Sequence, residues 1–488
     1  MLRNKALFLL VLVSALASSS CTLHRPNGGG CCSGGNHAFV SLTISDAPPV
    51  NTAAISFNMP ILGVTLTPSS GNAVSLFSPT TAANFELTRL QSDTALIATN
   101  VSVPTGTYTS LKLTLAAPSA VLFNGSGAGI GSCANNSVCS QQGSAATITF
   151  SFPTGSPLVL TANQNQFLDL DFNYNNAIVS TSSSVTIDAT QSNVLTVLTA
   201  PITGVPNGDL ANIDDFTGLV TAVSSSNITV KSTMRGSLTA SISSSTIPVN
   251  DPQFQCAGGG AFSCIQQGST IVSLQSVLTS ASTVDGTELD VIDNSTTPAD
   301  EAEGTLYTNA SCASGFGMIL SDSAILSTSS PLAGAPFGAN ICVALGPTAT
   351  FAIDDGILTN QAVPTAGFTS SADLFAGQTV RVKVSNAASG TNVINVTAST
   401  VVLRFSRLTA TVNNVTGSTF TITGLPAYFA STPTTTPSVQ TYPNATIFEG
   451  VTNGISGLSP GQTVSISALF LNPVTSTQPF QAAKVRVP

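Results

Sequence analysis

The chain has 488 residues, too many for one ordinary domain, and at a typical size of roughly 150 residues about three or four domains are expected. Only 7% of residues are charged, against about 25% in average soluble proteins, while 42% are hydrophobic, Trp is absent and the formal charge is −9. This balance argues against long exposed helices, whose outer faces are normally built from Glu, Lys, Arg and Gln, and against a nucleic-acid partner, since no Lys/Arg cluster offers phosphate a basic face. Val, Ile and Thr suit pleated sheets instead.

In chain order, Arg3 and Lys5 form a short positive region, Ala6 to Ala17 an apolar core broken only by Ser14, and Ser18, Ser19 and Ser20 lead into Cys21. That is the order of a secretory signal over residues 1–20. Because it stops on a cysteine it resembles the signal of bacterial lipoproteins, which implies lipid on Cys21 and an exported chain anchored to the cell envelope, at the outer membrane or cell surface. Ser18 stands where that family's cleavage box has leucine, which leaves a soluble secreted form as the alternative. No second apolar run reaches the ~18 residues of a membrane span, so the membrane partner is reached through the N-terminal lipid. Without Arg3 and Lys5, 11 basic residues face 22 acidic ones, a formal charge of −11.

Nine cysteines become an even eight if Cys21 carries lipid. In an exported chain this argues for disulfides, with Cys133–Cys139, Cys256–Cys264 and Cys312–Cys342 as the pairs nearest in sequence. Residues 21–37, rich in Gly and Pro and without apolar periodicity, read as a flexible tether.

Folding resumes at Phe39, where Val40, Leu42 and Ile44 alternate with Ser41, Thr43 and Ser45 up to the turn at Asp46-Ala47-Pro48-Pro49. Alternation of this kind marks a half-buried strand. Further strands are predicted at 53–57, 63–67, 108–115, 147–152, 167–172, 185–187 and 194–198. The segments VSLTISDAPP, VPTGTYTSLKLTL and LDLDFNY resemble the family of domains of unknown function numbered 4382, found in lipid-anchored bacterial surface proteins. The resemblance covers about residues 38–200 and implies a β-sandwich, set at 38–205, with no established activity.

The remainder repeats itself. Gln267 to Val272, Ala376 to Val382 and Pro460 to Ile466 each place Gly at a turn and then alternate, and each follows a hairpin-like opening from Thr217, Glu303 or Ser406. Three units follow, 206–300, 301–404 and 405–488, with roughly five or six strands apiece. Their openings resemble a second family of unknown function, numbered 5666, of small β-barrel repeats. The expected fold is therefore all-β: an N-terminal β-sandwich followed by three barrel-like or sandwich-like repeats.

Chemistry-bearing residues are few. The two histidines, His24 and His37, both fall in the tether, so Ser-His-Asp and Cys-His catalysis lack a framework in the folded domains. The tether's His24, Cys31, Cys32 and His37 match no standard zinc spacing, and no metal and no cofactor is expected. Asp169 and Asp171 share one face of a predicted strand, which reads as the polar face of an amphipathic strand before it reads as a catalytic or calcium-binding pair. Seven acids crowd residues 285–304, read as a solvated interdomain loop in preference to a calcium site. The sequence thus points to a noncatalytic envelope protein whose β domains bind a glycan, matrix or envelope-protein ligand, or act as a spacer. The alternative is an extracellular hydrolase of polymers working through Asp169 and Asp171. Tyr108, Tyr174, Tyr307, Tyr428 and Tyr442 are the residues that can stand in for the missing Trp as sugar platforms.

Overall fold

The computed structural model describes residues 36–46, 52–201, 212–249 and 262–487, less residues 132, 182, 244–246, 263, 281, 308–311, 313, 314, 391 and 430–434. The signal, Cys21, the tether up to residue 35 and Cys256 lie outside the described residues. The chain is all-β: strands follow one another from His37 to Arg486 with only short helical turns between them.

Two large sheets build the N-terminal domain, beside a two-stranded ribbon of Ile178–Ser180 and Val185–Ile187. One has four strands in the order Leu195–Pro201, Asn165–Phe172, His37–Ser45, Ala95–Pro104. The other runs Leu158–Leu160, Gly106–Leu115, Ala54–Pro68, Ser119–Asn124, Ser137–Gln142, with short strands added at its sides. Alternation aims Val40, Leu42, Ile44, Leu168 and Leu170 from the first sheet and Phe57, Met59, Leu111 and Leu113 from the second into one shared core. Residues 53–57 and 63–67, expected as separate strands, are one strand, Ala54–Pro68. Pro60 and Gly63 lie at a register shift between Ile61 and Gly63, so they bend the strand at a bulge without ending it. His37, assigned to the tether from its Gly-rich surroundings, instead opens the first strand, opposite Pro104, with its side chain exposed.

The three following units share one topology. In the first, the strands are Asn212–Val223, Asn227–Ser232, Gly236–Ser241, Ile271–Leu278 and Val284–Asp293. In the second they are Asp300–Tyr307, Phe316–Ala324, Asn340–Ile353, Thr379–Ser389 and the first half of Ile394–Thr416. The second half of that strand opens the third unit, followed by Thr419–Thr423, Ser438–Gln440, Thr463–Phe470 and Phe480–Arg486. Each time the first strand pairs antiparallel with the second and the fourth, the second with the third, and the fourth with the fifth. The third and fifth then pair in parallel, returning the circuit to its start. The units are thus barrel-like, with the strand order of a five-stranded Greek-key barrel of the OB type.

Register repeats as well as order. Gly218 faces Val272, Gly304 faces Val380 and Ala410 faces Val464, each on the first and fourth strands of its unit. The expected boundary at 404/405 falls inside the 23-residue strand Ile394–Thr416, so no linker separates the second unit from the third. Cores also cross boundaries: Phe167 of the N-terminal domain packs with Ile213 and Phe216 of the first unit, and Ile55 and Phe123 join the core of the third.

Candidate functional site

A short helical turn, Leu87–Arg89, carries a buried arginine out of the N-terminal domain. Arg89 Nε donates to Asp214 at 2.8 Å, Nη2 to Asp215 at 2.9 Å, and Nη1 to Glu303 at 2.5 Å. Two neighbouring aspartates both face inward because the first strand of the first unit slips register between Ile213 and Phe216; a second slip, between Glu303 and Gly304, lies beside Glu303. From the strand shared by the last two units, Arg404 reaches Asp215 at 2.5 Å, Glu303 at 3.3 Å and Asp354. Arg407 reaches Asp214 at 2.6 Å and Asp215 at 2.5 Å. Arg235 bridges Asp214 and Asp322, and Lys484 bridges Asp93 and Glu449. One ionic network therefore touches the N-terminal domain and all three repeats.

Burial sets its electrostatics. Desolvation opposes ionisation of Asp215, but Arg89, Arg407 and Arg404 together hold its carboxyl well below the usual range. Burial pushes Asp214 up to about 7 despite Arg407 and Arg89, with the charge of Asp215 adding to the rise. Such adjacent carboxyls titrate as a unit. Burial likewise lifts Glu288 to about 7 against the pull of Arg404. In Glu303 the opposition of burial is outweighed by Arg89 and Arg404, and its carboxyl is lowered.

This placement corrects the reading of residues 285–304. Glu288, Asp290 and Asp293 lie on the strand Val284–Asp293 and Glu301 and Glu303 on Asp300–Tyr307, and all five are buried. They are strand residues facing a protein junction, with Glu303 and Asp290 within ion-pair distance of Arg404 and Asp293 bonded to Lys383 at 2.6 Å. Asp169 does lie on the polar face expected of its strand, beside Thr43 and Ser45, but that face is closed to water there. Asp169 is fully buried and accepts hydrogen bonds from Thr43 Oγ1 at 2.6 Å and Ser45 Oγ at 2.5 Å, because the outer face of its sheet is covered by other parts of the chain. Asp171 is only partly buried, and burial with the charge of Asp169 raises it to about 6. The five tyrosines are all buried, so none presents a stacking platform.

Cys133 is joined to Cys139 and Cys312 to Cys342, with Cα separations of 5.3 and 5.4 Å. Cys264 is also disulfide-bonded. Among the described residues no group of three or more His, Cys, Asp or Glu is placed to hold a metal ion, and no helix is long and apolar enough to cross a membrane.

A second feature is an open cleft of about 1100 Å³ between the larger N-terminal sheet and the second unit. Its floor is the outer face of that sheet, where register lines up Asn58, Ser119 and Gln142 in one row and Ser56, Val121 and Ser140 in the next. Its wall comes from Gly338, Asn340, Ser389 and Asn392 of the second unit. At Gly338, with φ +80°, a Cβ would stand 3.0 Å from Ser56 Oγ and from Val121, so the wall meets the floor there. None of the side chains lining the cleft is charged.

Residues 37–188 match the family described as domain of unknown function (DUF4382). The match extends over the N-terminal sandwich and stops short of the repeats, so the likeness to the second family is not shown. No curated protein matches the chain. A solved structure described as drosophila Unr CSD456 aligns with 57% of this chain and 98% of its own, at 8% identity and a TM-score of 0.13, too low to carry any statement of fold.

Arg89, Arg235, Arg404, Arg407 and Lys484 were not singled out from sequence. For Arg404, Arg407 and Lys484 the available signal was position: in a chain with so few charges, LRFSRL and AAKVRV place theirs inside apolar strand patterns, whereas Arg89 and Arg235 lie in turns and carried no such signal.

Proposed function

We propose that the protein is a noncatalytic, lipid-anchored component of the cell envelope that acts as a rigid binding or structural module. The observation that carries this reading is the distribution of ionisable groups. The buried network ties arginines and carboxylates to one another at the junction of four units, while the open cleft beside the second unit is lined by neutral side chains. General acid–base chemistry needs a titratable group within reach of a substrate, and the network is closed to one. The disulfides fit an oxidising compartment, and the leader ending at Cys21 supports anchoring by lipid.

One observation favours the hydrolase alternative: the partly exposed Asp171, with its pKa near 6, has the poise of a general acid. Incubating the purified lipid-free mature chain with glycan and ester polymers, beside an Asp169→Asn, Asp171→Asn variant, separates the two. The expected result is no turnover by either protein; turnover by the wild type that vanishes in the variant overturns the proposal. Mass spectrometry of the mature N-terminus checks the anchor, with diacylglyceryl-modified Cys21 expected and an unmodified Cys21 in the membrane fraction counting against it.

A further inference from the structure

Resting on the binding-module reading above, we infer that the cleft between the N-terminal sheet and the second unit is a binding site for a neutral oligosaccharide. Size comes first. A compact small molecule fills a pocket of about 300–1,000 Å³; this cleft, about 1100 Å³, is at the top of that range and open along its length, a shape that suits an extended chain-like ligand.

The lining decides the chemistry. Amides and hydroxyls of Asn58, Asn84, Ser119, Ser140, Gln142 and Asn392 each offer donors and acceptors, as sugar hydroxyls do. Between them lie Pro60, Val121 and Val393, aliphatic surfaces that match the C–H faces of a pyranose. No charged side chain lines the cleft, so an anionic or cationic ligand would lose hydration without gaining a partner. Nucleic acid is disfavoured for the same reason.

Geometry adds a second, independent point. Asn58 is nine-tenths buried at the cleft, and although its Nδ2 donates to Asn84 Oδ1 at 3.4 Å, its Oδ1 has no hydrogen-bond partner among the described residues. A buried acceptor left unmatched costs about 1–3 kcal/mol in general, so the Asn58 amide is the part of the cleft floor with hydrogen-bonding capacity to spare when the weak Asn58–Asn84 bond rearranges around a ligand. Asn58 stands directly opposite Ser119, which stands opposite Gln142, so the row crosses three adjacent strands at about 4.8 Å per strand, a spacing close to that of successive sugar rings. The aromatic ring at the cleft, Phe337, is almost fully buried and offers little face to stack on, so affinity belongs in the high-micromolar range.

The test titrates the full mature chain with cellohexaose, xylohexaose, maltohexaose and N-acetylchitohexaose by calorimetry, beside sulfated and uronate oligosaccharides. A Gln142→Ala, Asn392→Ala variant changes only exposed side chains, and Asn414→Ala, exposed on the third unit, is the control. The expected result is binding of at least one neutral hexasaccharide with a Kd below about 1 mM, weakened about tenfold or more by the double variant, unchanged by the control and insensitive to salt. Binding by none of the four, binding unaltered in the double variant, or binding confined to the anionic sugars overturns the assignment. Chromatography of the same mixtures keeps the two readings apart. Shortened oligosaccharides would overturn the noncatalytic reading, while the cleft assignment would still stand or fall on the variant.

Discussion

Glu288 faces the buried network from the last strand of the first unit, with Arg404, Asp215 and Asp355 acting on it and its Oε1 near Gly356. Its folded pKa, about 7, lies above the ordinary 4.5, so the folded chain keeps a proton that the unfolded chain releases. The stability it contributes is fully present below the unfolded value and is lost as pH rises through 7. Glu288→Gln keeps the shape and cannot ionise. Between about pH 5 and about pH 8 the wild type should therefore lose about 2 kcal/mol that the variant retains. Urea unfolding of both proteins across that range checks it, and parallel stability curves would count against the assignment. Asp215 and Glu303 work in the opposite direction: their lowered values contribute stability above the unfolded pKa that is lost as pH falls through the folded one. The Gln variant isolates the Glu288 part because it leaves those two in place.

At the scale of the strand, the equivalent positions Gly218, Gly304 and Ala410 show how the repeats differ within a common register. A Cβ at Gly304 would meet the carbonyl oxygen of Ile319 at 2.2 Å, and one at Gly218 that of Lys231 at 2.2 Å, so in these units the first two strands cross too closely for a methyl group. In the third unit Ala410 carries that methyl, fully buried. Gly304→Ala should thus cost about 1–3 kcal/mol through forced strand separation, whereas Ala410→Gly should cost about 1 kcal/mol or less. Thermal unfolding of the two variants decides, and equal small shifts would mean the strands can separate freely. The recurrence itself was legible, because a Gly turn followed by strict alternation is a local pattern: the strands opening at Ile271, Thr379 and Thr463 are the fourth strand of each unit. What covers a strand's second face was not legible. Alternation says that Asp169 points away from Leu168 and Leu170 but is silent on whether water or protein lies on that side, and the same silence hid the burial of Asp290 and Glu303. The cleft was invisible for a related reason: its rows of Asn, Ser and Gln come from strands far apart in sequence, and only register joins them.

The molecule as a whole is held together by charges it can hardly spare. Lys112 is exposed on a strand of the N-terminal domain, whereas Arg89, Arg404 and Arg407 are buried where the units meet. An apolar junction of similar volume can be as stable as an ionic one, but a junction missing one partner cannot, because the opposite charges stay buried and unmatched. Arg89→Met leaves Asp214, Asp215 and Glu303 without the side chain that bridges all three. It should cost about 3–5 kcal/mol, against a change within about 0.5 kcal/mol for Lys112→Met. The two substitutions should also differ in kind. Arg89 ties the N-terminal domain to the first two units, while Asp93 keeps a second tie to Lys484 of the third, so loss of Arg89 should free the first two units from the N-terminal domain and split one cooperative unfolding transition into separate ones. High salt should not reproduce the effect on the wild type, since buried pairs are screened far less than exposed ones. Scanning calorimetry of both variants and of the wild type with and without salt tests this. A single transition in Arg89→Met, at the midpoint of Lys112→Met, would show that the apolar contacts of Phe167, Ile55 and Phe123 hold the units together without the ionic network.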